Sequence, residues 1–313
     1  MSKTFNIVFM GTPQFAVPAL EALHRHGHRI LLVVTQPDRR CGRGRKLAAP
    51  PVKTAALEKG LHLIQPETVI SGEFKHRMKL LQPDFFVVVA FGHLLKVDLL
   101  AAPKIGSVNI HASILPKYRG PAPIQWAIIN GEKETGVTTM FMDSGMDTGD
   151  TLLRAYTAIE KHDTAQSLHD RLSIMGADLI VETIDKIGSA QIQPDPQNHA
   201  EATYAPMLVK ENGRIPWGKT AAELDCFIRG MTPWPGAFTY HNEKRLKIFR
   251  AEPVDQTADQ KTGTVVQSFP GELLVTTGKG LLSVKEIQGA SGKRLKIRDF
   301  LAGYTFQPGD VLA

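Results

Sequence analysis

The sequence has little cysteine. Its 313 residues include two, Cys41 and Cys226, far apart and in no C-x-x-C pair. That excludes a disulfide framework and a zinc ribbon, and a reducing cytoplasm is the expected location. No apolar run approaches the roughly 18–20 residues needed to cross a bilayer, so no membrane span is expected. The start runs straight into a strand-like segment, Phe5 to Phe9, without the apolar stretch and cleavage site of a signal peptide. No long internal repeat or heptad pattern is present, and a monomer is expected. The motifs of several enzyme classes are missing too. Gly11 stands where a dinucleotide-binding G-x-G-x-x-G could begin, but Thr12-Pro13-Gln14-Phe15-Ala16 follows. There is no G-x-S-x-G, which argues against a covalent acyl-enzyme, and the histidine spacing offers no metal site.

What remains is a chain that can bury a core. It is 42% hydrophobic and 22% charged, which excludes disorder as its main state, and its length suggests two domains. Lys and Arg number 37 against 31 Asp and Glu, a net charge of +6 that permits an anionic partner without requiring one. Residues 207–313 hold 15 of those basic residues and 11 of the acidic ones, so most of the excess lies there.

The first half alternates strand and helix signals. Apolar runs at 7–10, 30–35 and 85–90, with 107–111 as a fourth candidate, read as strands; continuous apolar runs suit parallel strands buried on both faces. Helical spacing appears over 15–26, 52–59, 71–81, 121–130 and 164–187. This alternation predicts an α/β fold with a doubly wound, Rossmann-like, mostly parallel sheet over residues 1–188. Residues 189–206 are proline-rich and apolar-poor, and read as a linker. Over 207–313 a helix near 221–231 precedes short strands at 245–250, 264–268, 272–277 and 281–287 with glycines between the later ones. That spacing predicts a small β-barrel or sandwich.

Two segments carry chemistry. In Ser107-Val108-Asn109-Ile110-His111-Ala112-Ser113-Ile114-Leu115-Pro116, residues two apart on a strand share a face, so Asn109 and His111 point together. The ligand of an open α/β sheet lies at such a C-terminal strand end. A core histidine bonded to an asparagine would leave the same pattern. The second segment holds three carboxylates, Asp143, Asp147 and Asp150, in a glycine-rich loop that lacks EF-hand spacing; a solvated acidic turn is the alternative. Carbonyl transfer to an amine needs donors for a developing oxyanion and a group to manage the amine's proton. Asn, His and Asp supply these.

A third feature is Arg39-Arg40-Cys41-Gly42-Arg43-Gly44-Arg45-Lys46, with five basic residues in eight, inside the loop 36–50. It reads either as a solvated charged loop or as an arm for RNA phosphates, where forked Arg donors are favoured.

Together, the Asn109-x-His111-x-Ser113-x-Leu115-Pro116 run and the Asp147 segment about thirty residues later resemble the 10-formyltetrahydrofolate-dependent formyltransferases. The likeness covers essentially the whole chain: Gly11-Thr12-Pro13-Gln14-Phe15-Ala16, Gln36-Pro37-Asp38-Arg39-Arg40, Asn130-Gly131-Glu132, Thr203-Tyr204-Ala205-Pro206-Met207 and Pro233-Trp234-Pro235-Gly236-Ala237 all share in it. The resemblance implies Asn109, His111 and Asp147 as the catalytic set. It implies a folate site bordered by Ser113, Ile114, Leu115, Pro116, Phe91, Gly92 and Asp143. It implies 10-formyltetrahydrofolate as co-substrate, no metal, and an OB-type barrel at the C-terminus that lies on tRNA. The family's acceptors include an aminosugar, a glycinamide ribonucleotide and methionine on initiator tRNA. The basic loop favours the last, with initiator methionyl-tRNA as partner and Arg39, Arg40, Arg43, Arg45 and Lys46 as its contacts. A sugar-nucleotide formyltransferase, a hydrolase that deformylates the folate, and a non-catalytic RNA-binding module are the competing readings.

Overall fold

A computed structural model describes residues 3–41, 46–269, 271–290 and 292–313. In chain order the elements of the first part are β1 (Asn6–Gly11), α1 (Val17–Arg25), β2 (Arg29–Val34), β3 (Arg39–Cys41), β4 (Lys46–Ala48), α2 (Pro51–Glu58), β5 (Leu63–Ile64), α3 (Gly72–Leu81), β6 (Phe85–Val89), α4 (Val97–Leu100), β7 (Gly106–His111), α5 (Pro123–Ile129), β8 (Glu134–Phe141), β9 (Thr151–Ala158) and α6 (Ala165–Gly188). The rest are α7 (Ala221–Met231), β10 (Ala237–His241), β11 (Lys244–Val254), β12 (Val265–Phe269), β13 (Glu272–Thr276), β14 (Leu281–Gln288), β15 (Leu295–Lys296) and α8 (Ile297–Leu301). The chain forms two compact units. One comprises Met1–Gly120, Thr135–Thr157 and His169–Ala205; the other comprises Pro121–Glu134, Ala158–Leu168 and Pro206–Ala313. Among the described residues no helix is long and apolar enough to cross a membrane.

The first unit is built on a seven-stranded sheet in the order β5-β2-β1-β6-β7-β8-β9. The five strands β5, β2, β1, β6 and β7 run parallel, and β8 is antiparallel to β7. The mostly parallel sheet expected from the apolar runs is therefore present. Every residue of β6, Phe-Phe-Val-Val-Val, is buried, as a central parallel strand covered on both faces must be. Val8, Met10, Leu32, Val34, Phe86 and Val88 form part of one core cluster with Phe74 and Met78 of α3. β8 and β9 escape a reading by apolar alternation because β8 is threonine-rich. Its Thr138 and Thr139 are fully buried, since Thr138 Oγ1 donates to Ser113 O at 2.7 Å and Thr139 Oγ1 pairs with Thr183 Oγ1 at 2.8 Å.

The proline-rich segment is hydrogen-bonded onto this unit. Asp195 bridges Thr151 and Tyr204 bridges Arg119.

The second unit carries a six-stranded antiparallel sheet, β10-β11-β14-β13-β12, with β15 paired to β14. Leu246, Ile248, Val275, Leu282 and Val284 pack with Leu224, Phe227 and Ile228 of α7. Thr220 and Glu223 cap that helix reciprocally. One expectation needs correcting. Strand pairing among the described residues does not close a barrel; the path ends at β10 and β12. The C-terminal residues take up the edge groups instead. Ala313 exchanges two backbone bonds with Tyr240 of β10, at 2.8 and 2.9 Å, while Leu312 N donates to Gly263 O and Val265 N to Asp310 O. Edge donors satisfied by a terminal segment leave β10 and β12 no need to meet.

Candidate active site

All elements that bear on the site belong to the first unit. β7 ends at His111, and pairing of Val88 with Asn109 sets that end beside the end of β6. The pleat turns Asn109 and His111 to one face. Asn109 Nδ2 donates to Val88 O at 3.1 Å, which fixes the amide's orientation because a carbonyl only accepts. Among the described residues its second amide hydrogen has no acceptor and its buried Oδ1 has no partner.

His111 is 6% exposed. Its Nε2 lies 2.9 Å from Tyr118 O. Since a carbonyl cannot donate, that nitrogen carries the proton. Nδ1 is thereby left lone-paired in the neutral ring and a donor only in the imidazolium. It sits 3.6 Å from Asp147 Oδ2. Asp147 occupies left-handed backbone at φ 54°, and its Oδ2 accepts from the Gly120 N–H at 2.8 Å. Its Oδ1 has no hydrogen bond among the described residues. Three consecutive residues thus serve the pair: Tyr118 through its carbonyl, Gly120 through its amide, and Arg119 between them.

The three carboxylates of the glycine-rich loop do different things. Asp143 is exposed and organises the turn, its Oδ1 accepting from Gly145 N at 2.9 Å and Thr148 Oγ1 at 2.6 Å. Asp150 is exposed. Of the three, Asp147 is the one set beside His111. Gly149 holds the loop against β8, where a Cβ would meet Phe141 O at 1.9 Å.

The expected folate-bordering residues divide by exposure. Ser113 and Leu115 are buried; Ser113 Oγ donates to Lys117 O at 2.6 Å, and Leu115 N to Thr138 Oγ1 at 3.2 Å. Ile114 and Pro116 are half-buried, and the Leu115–Pro116 peptide is cis. Phe91 is buried beside exposed Gly92, which has φ 81°. Phe91 O accepts from Thr12 Oγ1 at 3.0 Å and from Gln36 Nε2 at 3.3 Å. These bonds tie the ends of β1, β2 and β6 together.

The basic loop is anchored at the same sheet edge. β3 and β4 form a two-stranded hairpin, Arg39 opposite Ala48 and Arg40 opposite Leu47. Arg39, Arg40 and Lys46 are exposed; Arg43 and Arg45 lie outside the described residues. Arg39 donates to Gln36 Oε1 at 2.5 Å. Asp38 is held by Lys53 Nζ at 2.8 Å and Gln65 Nε2 at 2.7 Å. The Lys53 hydrogen bond, then that of Gln65, lowers the Asp38 pKa. Burial, with the Arg39 charge second, lowers that of His93.

Two residues that bear on the Asp147 turn were not legible in the sequence. Arg119 is 2% exposed, and both its Nε (3.1 Å) and one Nη2 (2.7 Å) donate to Gln197 Oε1. Gln197 Nε2 in turn donates to Asp147 O at 2.9 Å and Gly149 O at 2.7 Å. Gln197 falls in a segment whose only sequence signal is proline. Arg119 lies between Tyr118 and a glycine in a loop, and nothing local sets it apart from a surface arginine.

A separate cluster, His26, His28 and Asp185, brings three potential ligand atoms within 4.8 Å of one another. His28 Nδ1 accepts the Phe5 N–H at 3.4 Å, so its neutral ring carries the proton on Nε2.

The chain belongs to the formyl transferase family. The family's formyl transferase model matches residues 5–184, and the model of the formyl transferase C-terminal domain matches residues 207–305. Curated relatives that are methionyl-tRNA formyltransferases match it nearly end to end. The protein from Caldanaerobacter subterraneus subsp. tengcongensis is 48% identical over 98% of this chain and 99% of its own. That from Citrifermentans bemidjiense is 46% identical over 98% and 96%. Among solved structures, an N-formyltransferase from Helicobacter canadensis in complex with folinic acid and dTDP-3-aminofucose shares the fold, with TM-score 0.68 and 21% identity over 92% of this chain and 99% of that one. HypX from Aquifex aeolicus in complex with tetrahydrofolic acid has TM-score 0.63 and 16% identity, covering 99% of this chain and 51% of that one.

Proposed function

We propose that this formyltransferase transfers the formyl group of 10-formyltetrahydrofolate to the α-amine of methionine on initiator methionyl-tRNA. Identity of 44–48% to methionyl-tRNA formyltransferases along nearly the full chain supports the acceptor. The observation that carries the chemistry is the His111–Asp147 pair, 3.6 Å apart, with His111 Nε2 already committed to a carbonyl.

When bound, the folate supplies an electrophilic formyl carbon. The residues at the end of β7 fit such a group, because the second amide hydrogen of Asn109 has no partner among the described residues and His111 Nδ1, 3.6 Å from Asp147 Oδ2, becomes a donor when the ring is protonated. In the imidazolium, Nδ1–H and the Asn109 amide stabilise negative charge developing on the formyl oxygen. Asp147 Oδ2 is fixed by Gly120 N–H. Its free Oδ1 accepts the proton that the attacking amine must lose, and that proton then passes to the departing nitrogen. Phe91, Gly92, Ser113, Ile114, Leu115, Pro116 and Asp143 border the folate in this reading. Residues 1–188 form the catalytic domain, 189–206 the connection and 207–313 the tRNA-binding domain. The basic segment Arg39–Lys46 meets the acceptor stem through Arg39, Arg40 and Lys46, together with Arg43 and Arg45, which lie outside the described residues.

The test is formylation by the purified protein with 10-formyltetrahydrofolate and, in parallel, methionyl-tRNA, free methionine, an amino-sugar nucleotide or water as acceptor. Formyl transfer confined to methionyl-tRNA is expected. Equal formylation of free methionine, or tetrahydrofolate release at the same rate without any acceptor, refutes the assignment.

A further inference from the structure

We infer that Gln197 is a positioning residue of the formyl-transfer site, acting through the backbone of Asp147 and itself held by Arg119. The inference rests on the reading of His111 and Asp147 as the reacting pair, and goes beyond it.

The geometry is that of a clamp with one permitted orientation. A guanidinium only donates, so the two Arg119 bonds at 3.1 and 2.7 Å fix Oε1 of Gln197 toward the arginine. Both Nε2 hydrogens are then directed at acceptors, the carbonyls of Asp147 and Gly149 at 2.9 and 2.7 Å. Those carbonyls bracket Thr148, so the clamp spans the turn that holds Asp147 at φ 54°. A non-glycine residue stays in the left-handed region only where its surroundings over-determine it. Gln197 is 6% exposed and Arg119 2%. Arg119 has no carboxylate partner among the described residues. Its remaining side-chain contact there is His199 Nδ1 at 3.1 Å, which must accept. A buried arginine spent on a neutral amide, rather than on an acid, leaves the Asp147 carboxylate free of a direct ion pair with it. The neighbours of Arg119 complete the arrangement, Tyr118 O on His111 and Gly120 N on Asp147. Thr203 fixes this tripeptide, its Oγ1 accepting from Tyr118 N and its carbonyl from Arg119 N, both at 2.8 Å.

The informative variant is Gln197→Glu. It keeps the shape and strengthens the bond to Arg119, but turns both donors into acceptors facing the Asp147 and Gly149 carbonyls. Turnover should fall about tenfold to a hundredfold, the scale of a displacement near 1 Å at a reacting group. KM for methionyl-tRNA and for the folate should stay within about twofold, because no binding group is removed. Introduced into Asp147→Asn, the same change should cost less than about threefold more, since residues acting as one unit are not additive. Where Gln197→Glu does not give folded protein by thermal unfolding, Gln197→Asn replaces it, keeping the amide but one methylene short of the carbonyls. Wild-type kcat in a folded Gln197 variant, or an undiminished loss in the Asp147→Asn background, overturns the inference while leaving the His111–Asp147 pair intact. Near wild-type kcat in Asp147→Asn itself overturns the pair and the inference with it.

Discussion

Asp147→Asn isolates the chemistry from the fold. Asparagine is isosteric, tolerates the left-handed φ of 54° at this position, and still offers an oxygen to the Gly120 N–H now bonded at 2.8 Å. What it loses is charge and basicity. The structural cost is the difference between a charge-assisted and a neutral hydrogen bond, about 1 kcal/mol. The kinetic cost is larger. Removing a positioned general base is worth about 10²–10⁴ in rate, or roughly 3–5 kcal/mol of transition-state stabilisation. The Asn109 and His111 donors remain, so activity should persist at that reduced level. Single-turnover formylation of methionyl-tRNA at saturating enzyme measures the step directly, and thermal unfolding reports the fold. A variant within about fivefold of the wild-type rate, with an unchanged unfolding midpoint, would show that Asp147 takes no proton.

Three further outcomes test other parts of the structure. Gly149→Ala puts a Cβ 1.9 Å from Phe141 O, and Phe141 cannot retreat without breaking its 2.9 Å bond to Asp150 O; a loss above about 2 kcal/mol is expected in chemical denaturation. His28 has its pKa pushed below 6.5, first by burial, then by the His26 charge, against an opposing pull from Asp185. The unfolded chain therefore binds the proton more readily, so this contribution is intact above the unfolded value of about 6.5 and lost as pH falls through the lower folded one. The unfolding midpoint should drop across that window, and His28→Gln should flatten the drop; parallel curves for the two proteins count against the assignment. Arg40→Gln with Lys46→Gln removes two exposed charges of the basic hairpin that have no hydrogen-bond or ion-pair partner among the described residues. The double variant should weaken methionyl-tRNA binding and shrink its salt dependence by about one unit for each phosphate no longer neutralised, leaving folate affinity as it was. An unaltered salt slope would mean that neither side chain meets the RNA.

Much of the first unit was readable because its signals are local. β6 announces itself in Phe-Phe-Val-Val-Val, all buried, and the Asn109-x-His111 spacing follows from the two-residue period of a strand. The C-terminal sheet was readable as short strands between turns, but not its closure. Whether β10 and β12 meet depends on where Asp310–Ala313 place their backbone groups, and no residue pattern encodes that. β8 was hidden for a related reason: Thr138 and Thr139 look polar and become core residues only through bonds to Ser113 O and Thr183.

The division runs through the site itself. Local sequence determined that an asparagine and a histidine share a strand face and that three aspartates share a loop. Residue spacing did not single out one of the aspartates; the resemblance to the formyltransferases did, and tertiary structure turns Asp143 inward on its own loop and sets Asp147 beside His111 and Gly120. Spacing also left open which nitrogen of His111 is committed, because that depends on Tyr118 O. Nor could it connect Gln197 to Arg119 across 78 residues. Covalent periodicity orders neighbours along a strand, whereas hydrogen-bond donors and acceptors far apart in the chain are matched only when the fold brings them within about 3 Å.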